Sequence, residues 1–392
     1  MHPTPKLILP VIIISQFFCT SLWFAGNSVI QELILNFNLN QNALGNLTSA
    51  VQLGFIFGTL LFAIFCISDR YSPSKVFFVC SLLGAATNLS IIWPNNSYVS
   101  ILSLRFFTGF FLAGIYPVGM KIASDYFDKG LGKSLGYLVG ALVMGTALPH
   151  LLKDINGDLP WQFVLIATSV MATIGGILII SFVTDGPYRT PSKKLELTAI
   201  GKVFRSRNFR IPAFGYFGHM WELYTFWAFT PFILKLYENK FGVSLNISLL
   251  SFTIIATGGI ACIISGHLAQ RFSTRRIAFG SLALSLICCL IFPIIFSIGS
   301  QAIFIIFLIF WGMVVIADSP LFSTLVAQNA EPKFKGTALT IVNSIGFFIT
   351  IISIQLLDKL KNISESPIIF VVLAIGPLIG LINALINRRK KD

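Results

Sequence analysis

Apolar residues run along this chain in long stretches that short polar breaks separate. A helix that crosses the hydrocarbon core of a bilayer needs about 20 mostly apolar residues, and twelve stretches meet that requirement. The pattern predicts an all-α integral membrane protein with twelve transmembrane helices, the first of which is expected to be retained as a span. The predicted spans are 7–35, 44–67, 76–94, 98–123, 132–152, 160–183, 211–236, 247–269, 277–297, 301–326, 336–357 and 368–386.

The longest polar break runs from Thr184 to Arg210 and has six predicted spans on each side. We therefore expect an N-terminal six-helix bundle at 1–183 and a C-terminal six-helix bundle at 211–392, joined by a basic cytoplasmic linker at 184–210. A solvated charge run beside the membrane is the simplest role for the linker. Binding to anionic lipid or to a partner is the alternative.

The composition narrows the class of protein further. Hydrophobic residues make up 55% of the chain and charged residues 11%, whereas soluble domains carry about 25% charged residues. This excludes a soluble enzyme with a charged surface. The net charge of +13 does not come from a basic groove interleaved with aromatic residues, so nucleic acid is not an expected partner. The six cysteines include no CxxC pair, so neither a disulfide framework nor a metal site is expected.

The 28 Lys and Arg residues are distributed unequally between the two ends of the predicted spans. Twenty-two lie on the side that holds both chain termini, five lie on the opposite side, and Arg105 lies inside a span. Because short loops rich in Lys and Arg stay in the cytoplasm, both termini are expected to be cytoplasmic. The low charge and the richness in Ile, Phe and Asn fit a multi-pass protein of a bacterial inner membrane.

The two halves of the chain repeat each other at a nearly constant offset. In the fourth span Gly109 precedes Pro117 by eight residues, and in the tenth span Gly312 precedes Pro320 by eight, 203 residues later. Internal repeats of this kind are typical of transporters. The repeat therefore predicts two related bundles around a central pathway.

The loop after the eighth span resembles a signature of the major facilitator superfamily. It reads Gly266-His-Leu-Ala-Gln-Arg-Phe-Ser-Thr-Arg275-Arg276, and the loop after the second span keeps Asp69 and Arg70 of the same signature. Arg105 followed by Gly109 is similar to the fourth-span motif of the family. The stretch 215–224 resembles a bacterial branch whose substrate is unknown.

The resemblance implies the fold of this family, with the first, fourth, seventh and tenth spans around a central cavity. It implies gating roles for Asp69, Arg70 and Arg271. The fifth span contains Gly145 and Pro149, but it lacks the adjacent Gly-Pro pair of the antiporters in the family. Export by antiport is therefore not favoured.

Few ionisable residues occur inside the spans, where each one costs about 2.5–3.5 kcal/mol and needs a partner, a wet cavity or a function. Glu222 is the candidate for a carboxyl group that gains and loses a proton; a permanent bond to Arg105 or His219 is the alternative. His219 is expected to lie on the same helix face as Glu222. Its expected role is either packing or contact with the proton or the solute. Arg105 is expected to bind an anion or an acidic partner, or to cap a helix terminus. Asp318 is expected to be a gating or helix-capping residue, with proton transfer as its second possible role.

A polar stripe follows the first span. Gln16, Thr20, Trp23 and Asn27 recur at i, i+4, i+7 and i+11, which places them on one face of a continuous helix. Such a stripe faces inward in lipid, where it either contacts solute or joins helices by hydrogen bonds. Trp221 is a candidate for stacking on a solute, with packing as its alternative role.

These features together predict a secondary transporter that works by alternating access. No Gly-x-x-x-x-Gly-Lys-Ser/Thr sequence occurs, so a proton gradient is the expected energy source and no cofactor is expected. We expect proton symport of a small polar or anionic solute by a monomer in contact with membrane lipid. The alternative is proton-coupled efflux of hydrophobic or cationic compounds by an antiporter. Neither an enzyme nor a channel is favoured, because no catalytic constellation and no filter sequence occurs.

Overall fold

The computed structural model of the chain describes residues 7–127, 131–155, 157, 159–189, 199–331 and 334–388. These residues form helices and connecting turns, with no β-strand among them. The predicted all-α fold is confirmed. Part of the predicted orientation and of the predicted linker rests on Lys6, Lys129, Lys193, Lys194, Lys333 and residues 389–391, which lie outside the described residues.

The chain divides into two compact units, Met1–Lys194 and Leu195–Asp392, so that the boundary falls inside the predicted linker. We refer to them as the N-terminal unit and the C-terminal unit. The helices described in the N-terminal unit are α1 Ile8–Thr20, α2 Ala25–Ser28, α3 Ile30–Phe37, α4 Ala43–Ile64, α5 Ile67–Arg70, α6 Pro73–Leu89, a 3-10 turn at Ser90–Ile92, α7 Tyr98–Leu112, α8 Tyr116–Tyr126, α9 Leu131–Ile155 and α10 Gln162–Phe182.

The first described helix of the C-terminal unit is short and lies inside the predicted linker. Its described helices are α11 Ala199–Arg205, α12 Arg207–Phe241, α13 Ile247–Arg271, α14 Thr274–Ser297, α15 Gln301–Ala317, α16 Ser319–Asn329, α17 Lys335–Ile363, a 3-10 helix at Pro367–Ala374 and α18 Ile375–Arg388. The seventh predicted span therefore starts four residues earlier than expected, at Arg207.

Ten helical segments among the described residues are long and apolar enough to cross a membrane, and they correspond to ten of the twelve predicted spans. The other two predicted spans are the first and the seventh. The seventh is α12, which has 35 residues but carries polar side chains along its length. The first is not one helix: it is divided into α1, α2 and α3.

The two units use the same scheme of helix packing. In the N-terminal unit α1 packs against α9 and α10, α4 packs against α7, and α6 packs against α10. In the C-terminal unit α12 packs against α17 and α18, α13 packs against α15, and α14 packs against the 3-10 helix that leads into α18. Each contact in one unit thus has an equivalent in the other, as an internal duplication requires.

Two glycines show the repeat at atomic scale. A methyl group on Gly109 of α7 would lie 1.9 Å from the backbone oxygen of Val51 in α4. A methyl group on Gly312 of α15 would lie 2.2 Å from the backbone oxygen of Ile254 in α13. Both pairs are separated by the same 203 residues. Only glycine allows helices to approach this closely, so the predicted Gly repeat marks the same helix crossing in each unit.

The fourth and tenth spans are interrupted at equivalent positions. The α7 helix ends at Leu112 and α8 begins at Tyr116, with Pro117 in its first turn. The α15 helix ends at Ala317 and α16 begins at Ser319, with Pro320 in its first turn. Proline has no N–H to donate and fits the first turn of a helix, so the two predicted prolines restart the helices rather than end them.

Candidate transport site

The first span is interrupted where Arg105 of α7 meets it. From Ser21 to Trp23 the backbone N–H groups bond to carbonyls three residues back, so α1 ends in a tightened turn. The Arg105 side chain is fully buried; its Nη1 donates to the carbonyl of Leu22 at 3.2 Å and its Nη2 to that of Trp23 at 2.5 Å. The guanidinium group therefore satisfies carbonyls that the end of a helix leaves free.

Arg105 therefore caps a helix terminus, which is the alternative to anion binding that the sequence left open. Its Nε has no hydrogen-bond partner among the described residues, and it lies against Gly26, where an added methyl carbon would be 3.3 Å away. No carboxylate of the described residues lies within ion-pair distance of it. The carbonyl end of α1 carries partial negative charge, which offsets part of the positive charge of Arg105.

The interruption also separates the residues of the predicted polar stripe. The Thr20 hydroxyl donates to the carbonyl of Gln16 at 2.8 Å and lies against Gly145 of α9. The Asn27 amide donates to the Thr48 hydroxyl of α4 at 2.7 Å. Thr20 and Asn27 thus face different helices, because the chain turns between Thr20 and Ala25 instead of continuing as one helix.

Gln16 and Trp23 complete the stripe. Gln16 is fully buried and its carboxamide packs on Gly119 of α8; neither its Oε1 nor its Nε2 has a hydrogen-bond partner among the described residues. The Trp23 ring packs on Phe55 of α4 with centroids 4.9 Å apart. The stripe residues therefore differ in their contacts: Asn27 bonds to Thr48, Trp23 packs on Phe55, and the Gln16 carboxamide has no hydrogen-bond partner among the described residues.

A second buried carboxamide, Gln52 of α4, was not among the predicted site residues. It lies one turn from Thr48 and one turn from Phe55 on the helix face that meets the interrupted first span. The side chain is fully buried, and both its Oε1 and its Nε2 lack a partner among the described residues. Its signal in the sequence is the pair Thr48 and Gln52, spaced i and i+4 in the second predicted span.

In the C-terminal unit the buried carboxyl group of Glu222 has a defined set of donors. Its Oε1 accepts hydrogen bonds from the Ser285 hydroxyl at 2.5 Å, from the Trp311 indole N–H at 2.6 Å and from the Cys289 thiol at 3.3 Å. Its Oε2 has no hydrogen-bond partner within the described chain. Ser285 and Cys289 are spaced i and i+4 on α14 and were not among the predicted site residues.

The Trp311 donor belongs to a cluster of aromatic rings. The Trp311 ring lies 4.5 Å from that of Phe226 and 5.4 Å from that of Phe292, measured between centroids. All three side chains are fully buried. Within the described residues, no Lys or Arg lies within ion-pair distance of Glu222. The site is thus a carboxyl group with neutral donors in an apolar surrounding.

His219 and Asp318 form a second buried pair in the same unit. The Nδ1 of His219 lies 2.7 Å from Oδ1 of Asp318, and both side chains are almost fully buried. Asp318 stands between α15 and α16, and its backbone carbonyl accepts from the N–H groups of Leu321 and Phe322. His219 and Glu222 share a face of α12, as predicted, but they contact different partners.

Trp221 lies between these two residues in sequence and contacts the last span. Its indole N–H donates to the carbonyl of Val372 at 3.0 Å, and its side chain packs against Gly376. These contacts correspond to the packing role that the sequence left open for Trp221. No group of three or more His, Cys, Asp or Glu in the described chain is placed to hold a metal ion.

The predicted gating residues of the N-terminal unit belong to a charged cluster at the ends of α5 and α8. Lys121 lies 3.1 Å from the Asp69 carboxylate and 3.5 Å from that of Asp125. Arg189 donates to the backbone oxygens of Asp69 and Tyr71, at 2.9 Å each. The start of the predicted linker is therefore attached to the loop after the second span.

The two predicted gating arginines lie at the surface. Arg70 follows Asp69 in α5 and is exposed, and Arg271 ends α13 and is exposed as well. Neither has a carboxylate partner in the described residues. The predicted gating residues thus have three kinds of surroundings. Asp69 forms an ion pair, Arg70 and Arg271 are exposed, and Asp318 is buried beside His219.

A family model described as Major Facilitator Superfamily matches residues 12–354 of the chain. The match covers most of each unit and includes all of the predicted site residues.

Solved structures of transporters share the fold. The bacterial homologue of the human lysosomal transporter Spinster, inward-facing and unoccupied, aligns with a TM-score of 0.74 at 13% identity over 99% of this chain and 98% of that chain. The nucleoside transporter NupG aligns with 0.71 at 13% identity over 97% and 99%. The proton:xylose symporter XylE aligns with 0.73 at 12% identity over 96% and 94%. At these identities the likeness shows the twelve-helix fold alone.

Curated relatives match a smaller part of the chain. The efflux pump FUBT of Fusarium oxysporum is 26% identical over 206 residues, which is 50% of this chain and 34% of that protein. The efflux pump FUB11 of Gibberella moniliformis matches with the same figures. The chain spans about a third of the length of these relatives.

Proposed function

The chain belongs to the major facilitator superfamily, and from that premise we propose that it is a proton-coupled symporter of a small polar solute. The proposed direction is import across a bacterial inner membrane, with both termini cytoplasmic and the protein acting as a monomer. Its proposed partners are the solute and the surrounding lipid, and the proton gradient supplies the energy without a further cofactor.

The observation that carries this proposal is the environment of Glu222. Three donors on Oε1 stabilise the ionised carboxylate, whereas burial among aromatic rings without a cation opposes a charge at the same place. Opposing influences on one carboxyl group are what a site that gains and loses a proton during a cycle requires. The free Oε2 is the position at which that proton binds.

The His219 and Asp318 pair supplies a second group that can respond to the proton. Asp318 occupies the interruption between α15 and α16, and discontinuous helices are the elements that line sites in secondary transporters. In our proposal, Glu222 carries the proton and the His219 pair links its state to the conformation of the interrupted tenth span. The charged cluster of Asp69, Lys121 and Asp125, at the ends of α5 and α8, acts as the gate of the N-terminal unit.

Efflux of hydrophobic or cationic compounds is the second candidate function. It is favoured by curated relatives that are named as efflux pumps, and by the aromatic cluster of Trp311, Phe226 and Phe292, which suits stacking on a lipophilic cation. In this alternative, Glu222 binds the compound and the proton in turn.

Proton flux in vesicles separates the two candidates. The purified protein is reconstituted with a pH-sensitive dye in the lumen, and D-xylose, uridine, lactate, succinate or tetraphenylphosphonium is added outside. A symporter acidifies the lumen when a solute that it accepts is added. We expect acidification by a polar solute in the wild type and in Glu32→Gln, and none in Glu222→Gln.

Glu32 is a suitable control because it is a partly exposed carboxylate that pairs with Lys153 at 2.8 Å. Proton movement driven only by tetraphenylphosphonium would favour the efflux function. Acidification that is unchanged in Glu222→Gln would exclude Glu222 as the coupling residue.

A further inference from the structure

The buried carboxamides of Gln16 and Gln52 in the N-terminal unit have no hydrogen-bond partner among the described residues. We propose that Gln52, together with Gln16, binds the transported solute, and that this solute is uncharged and carries hydroxyl or amide groups. Arg105 is then a positioning residue of the interrupted first span and not an anion-binding residue. This inference rests on the proposed transport function and specifies its substrate class.

The contacts of Arg105 argue against an anion site. A guanidinium group binds a carboxylate through two parallel N–H donors. The Nη1 and Nη2 of Arg105 are bonded to the carbonyls of Leu22 and Trp23, and Nε lies against Gly26. An incoming anion would have to displace two hydrogen bonds that hold the interruption. Arg105 therefore keeps the first span open at this point rather than binding solute.

The surroundings of Gln52 place it at that interruption. Thr48 lies one turn before Gln52 on the same face of α4, and its hydroxyl accepts a hydrogen bond from the Asn27 amide. Phe55 lies one turn after Gln52 and packs on Trp23. Gln52 therefore faces the chain between Trp23 and Asn27, where the first span is not a continuous helix. Gln16 lies in the last turn but one of α1, on the other side of the interruption.

Both carboxamides are fully buried, and neither the oxygen nor the nitrogen of either one is hydrogen-bonded to a described residue. Buried polar groups are bonded in the great majority of cases, so an unbonded one requires an explanation. Two unbonded carboxamides beside one interrupted helix are explained if a ligand completes their hydrogen bonds.

The chemistry of a carboxamide selects the ligand. It offers an acceptor oxygen and two N–H donors, and a hydroxyl or amide of a solute offers both complementary groups. A carboxylate can only accept, so it would leave the Gln oxygen unpaired and would repel it. A lipophilic cation without N–H or O–H groups would leave both ends unpaired. An uncharged polyol, nucleoside or amide is therefore the substrate class that fits.

Thermal unfolding of the purified protein tests this assignment with named probes. The uncharged probes are D-xylose, uridine and nicotinamide; the anions are lactate and succinate; the cation is tetraphenylphosphonium. The variants are Gln52→Leu and Gln52→Met, with Gln16→Leu as a separate variant. The matched control is Asn88→Leu, because Asn88 is buried in the same unit but donates to Leu165, Thr168 and Ser169.

We expect an uncharged probe to raise the Tm of the wild type. Because each lost hydrogen bond leaves a solute group unpaired, the apparent affinity should fall at least about tenfold in both Gln52 variants and in Gln16→Leu. Without probe, the Gln52 variants should have an unchanged or higher Tm, since they remove an unbonded group. Asn88→Leu should have a lower Tm without probe and keep the wild-type affinity.

Stabilisation by anions alone, or by none of the uncharged probes, would overturn the inference, as would wild-type affinity in both Gln52 variants. The vesicle proton assay on the same proteins separates this result from failure of the proposed function. Anion binding with proton flux that depends on Glu222 would refute the substrate class alone. Binding of an uncharged probe without such proton flux would refute symport alone.

Discussion

At the scale of single residues, the Glu222 carboxyl group receives its hydrogen bonds unequally. Oε1 accepts from Ser285, Cys289 and Trp311, and Oε2 accepts from none of the described residues. The Trp311 indole is the largest of these donors and also contacts Phe226 and Phe292. It therefore contributes both a hydrogen bond and packing to the site.

Replacing Trp311 by phenylalanine should separate these two contributions. Trp311→Phe keeps an aromatic ring but leaves Oε1 with two donors, and a hydrogen bond to a charged group contributes about 1.5–3 kcal/mol. We expect a lower Tm and slower proton-coupled uptake. Trp93→Phe is the control, since Trp93 is 65% exposed. Equal Tm values for the two variants would show that the indole N–H does not support Glu222.

The sequence identified Glu222, His219 and Asp318 because ionisable residues stand out in apolar spans. It did not identify Gln52, because one amide changes the hydropathy of a 22-residue helix very little. It also did not identify Ser285 and Cys289, because small polar residues are common in membrane helices, where they bond to their own backbone. Their roles depend on contacts across the bundle, which the local pattern does not contain.

At the scale of helices, the interruption of the first span is the main departure from the prediction. The segment Ser21-Leu22-Trp23-Phe24 contains neither proline nor glycine, so nothing in the local sequence predicts a helix end there. The reason is tertiary: Arg105, more than 80 residues away, binds the carbonyls of Leu22 and Trp23. The interruptions of the fourth and tenth spans coincide with Pro117 and Pro320, which the sequence does show.

The two glycine crossings predict a matched pair of effects. Alanine at Gly109 or at Gly312 would place its methyl group against a backbone oxygen that cannot move without separating two helices. We expect each variant to lose about 1–3 kcal/mol of stability through overpacking. Thermal unfolding measures the loss.

Gly136→Ala is the control for both variants, because an added methyl group there meets nothing within 4 Å. Alanine is the better helix former, so this variant should match or exceed the wild type in stability. If Gly109→Ala is destabilising and Gly312→Ala is not, the two helix crossings are not equivalent in stability. The internal repeat would then be a feature of the sequence without an energetic counterpart at these crossings.

At the scale of the whole molecule, the two units share a packing scheme but differ in chemistry. Arg105 and the unbonded carboxamides of Gln16 and Gln52 are buried in the N-terminal unit, and the carboxyl groups of Glu222 and Asp318 are buried in the C-terminal unit. In our proposals the N-terminal unit recognises the solute and the C-terminal unit carries the proton.

The number of spans, their division into six and six, and the family were all readable from the sequence, because lipid imposes length and polarity on every span. The packing of the helices was predictable only as far as the repeat indicated two equivalent bundles. The linker shows the limit. Arg189 was expected in a solvated charge run, but it binds the backbone of Asp69 and Tyr71, since free carbonyls at a helix end attract a guanidinium group.

The central claim is that Glu222 binds and releases a proton, and infrared difference spectroscopy of the protein in lipid vesicles tests it without a substrate. A protonated carboxyl group has a C=O stretching band that disappears on ionisation. We predict that the pH-difference spectrum of the wild type and of Glu32→Gln contains such a band from a buried carboxyl group, and that Glu222→Gln lacks it. The same band at full intensity in all three proteins would contradict the account.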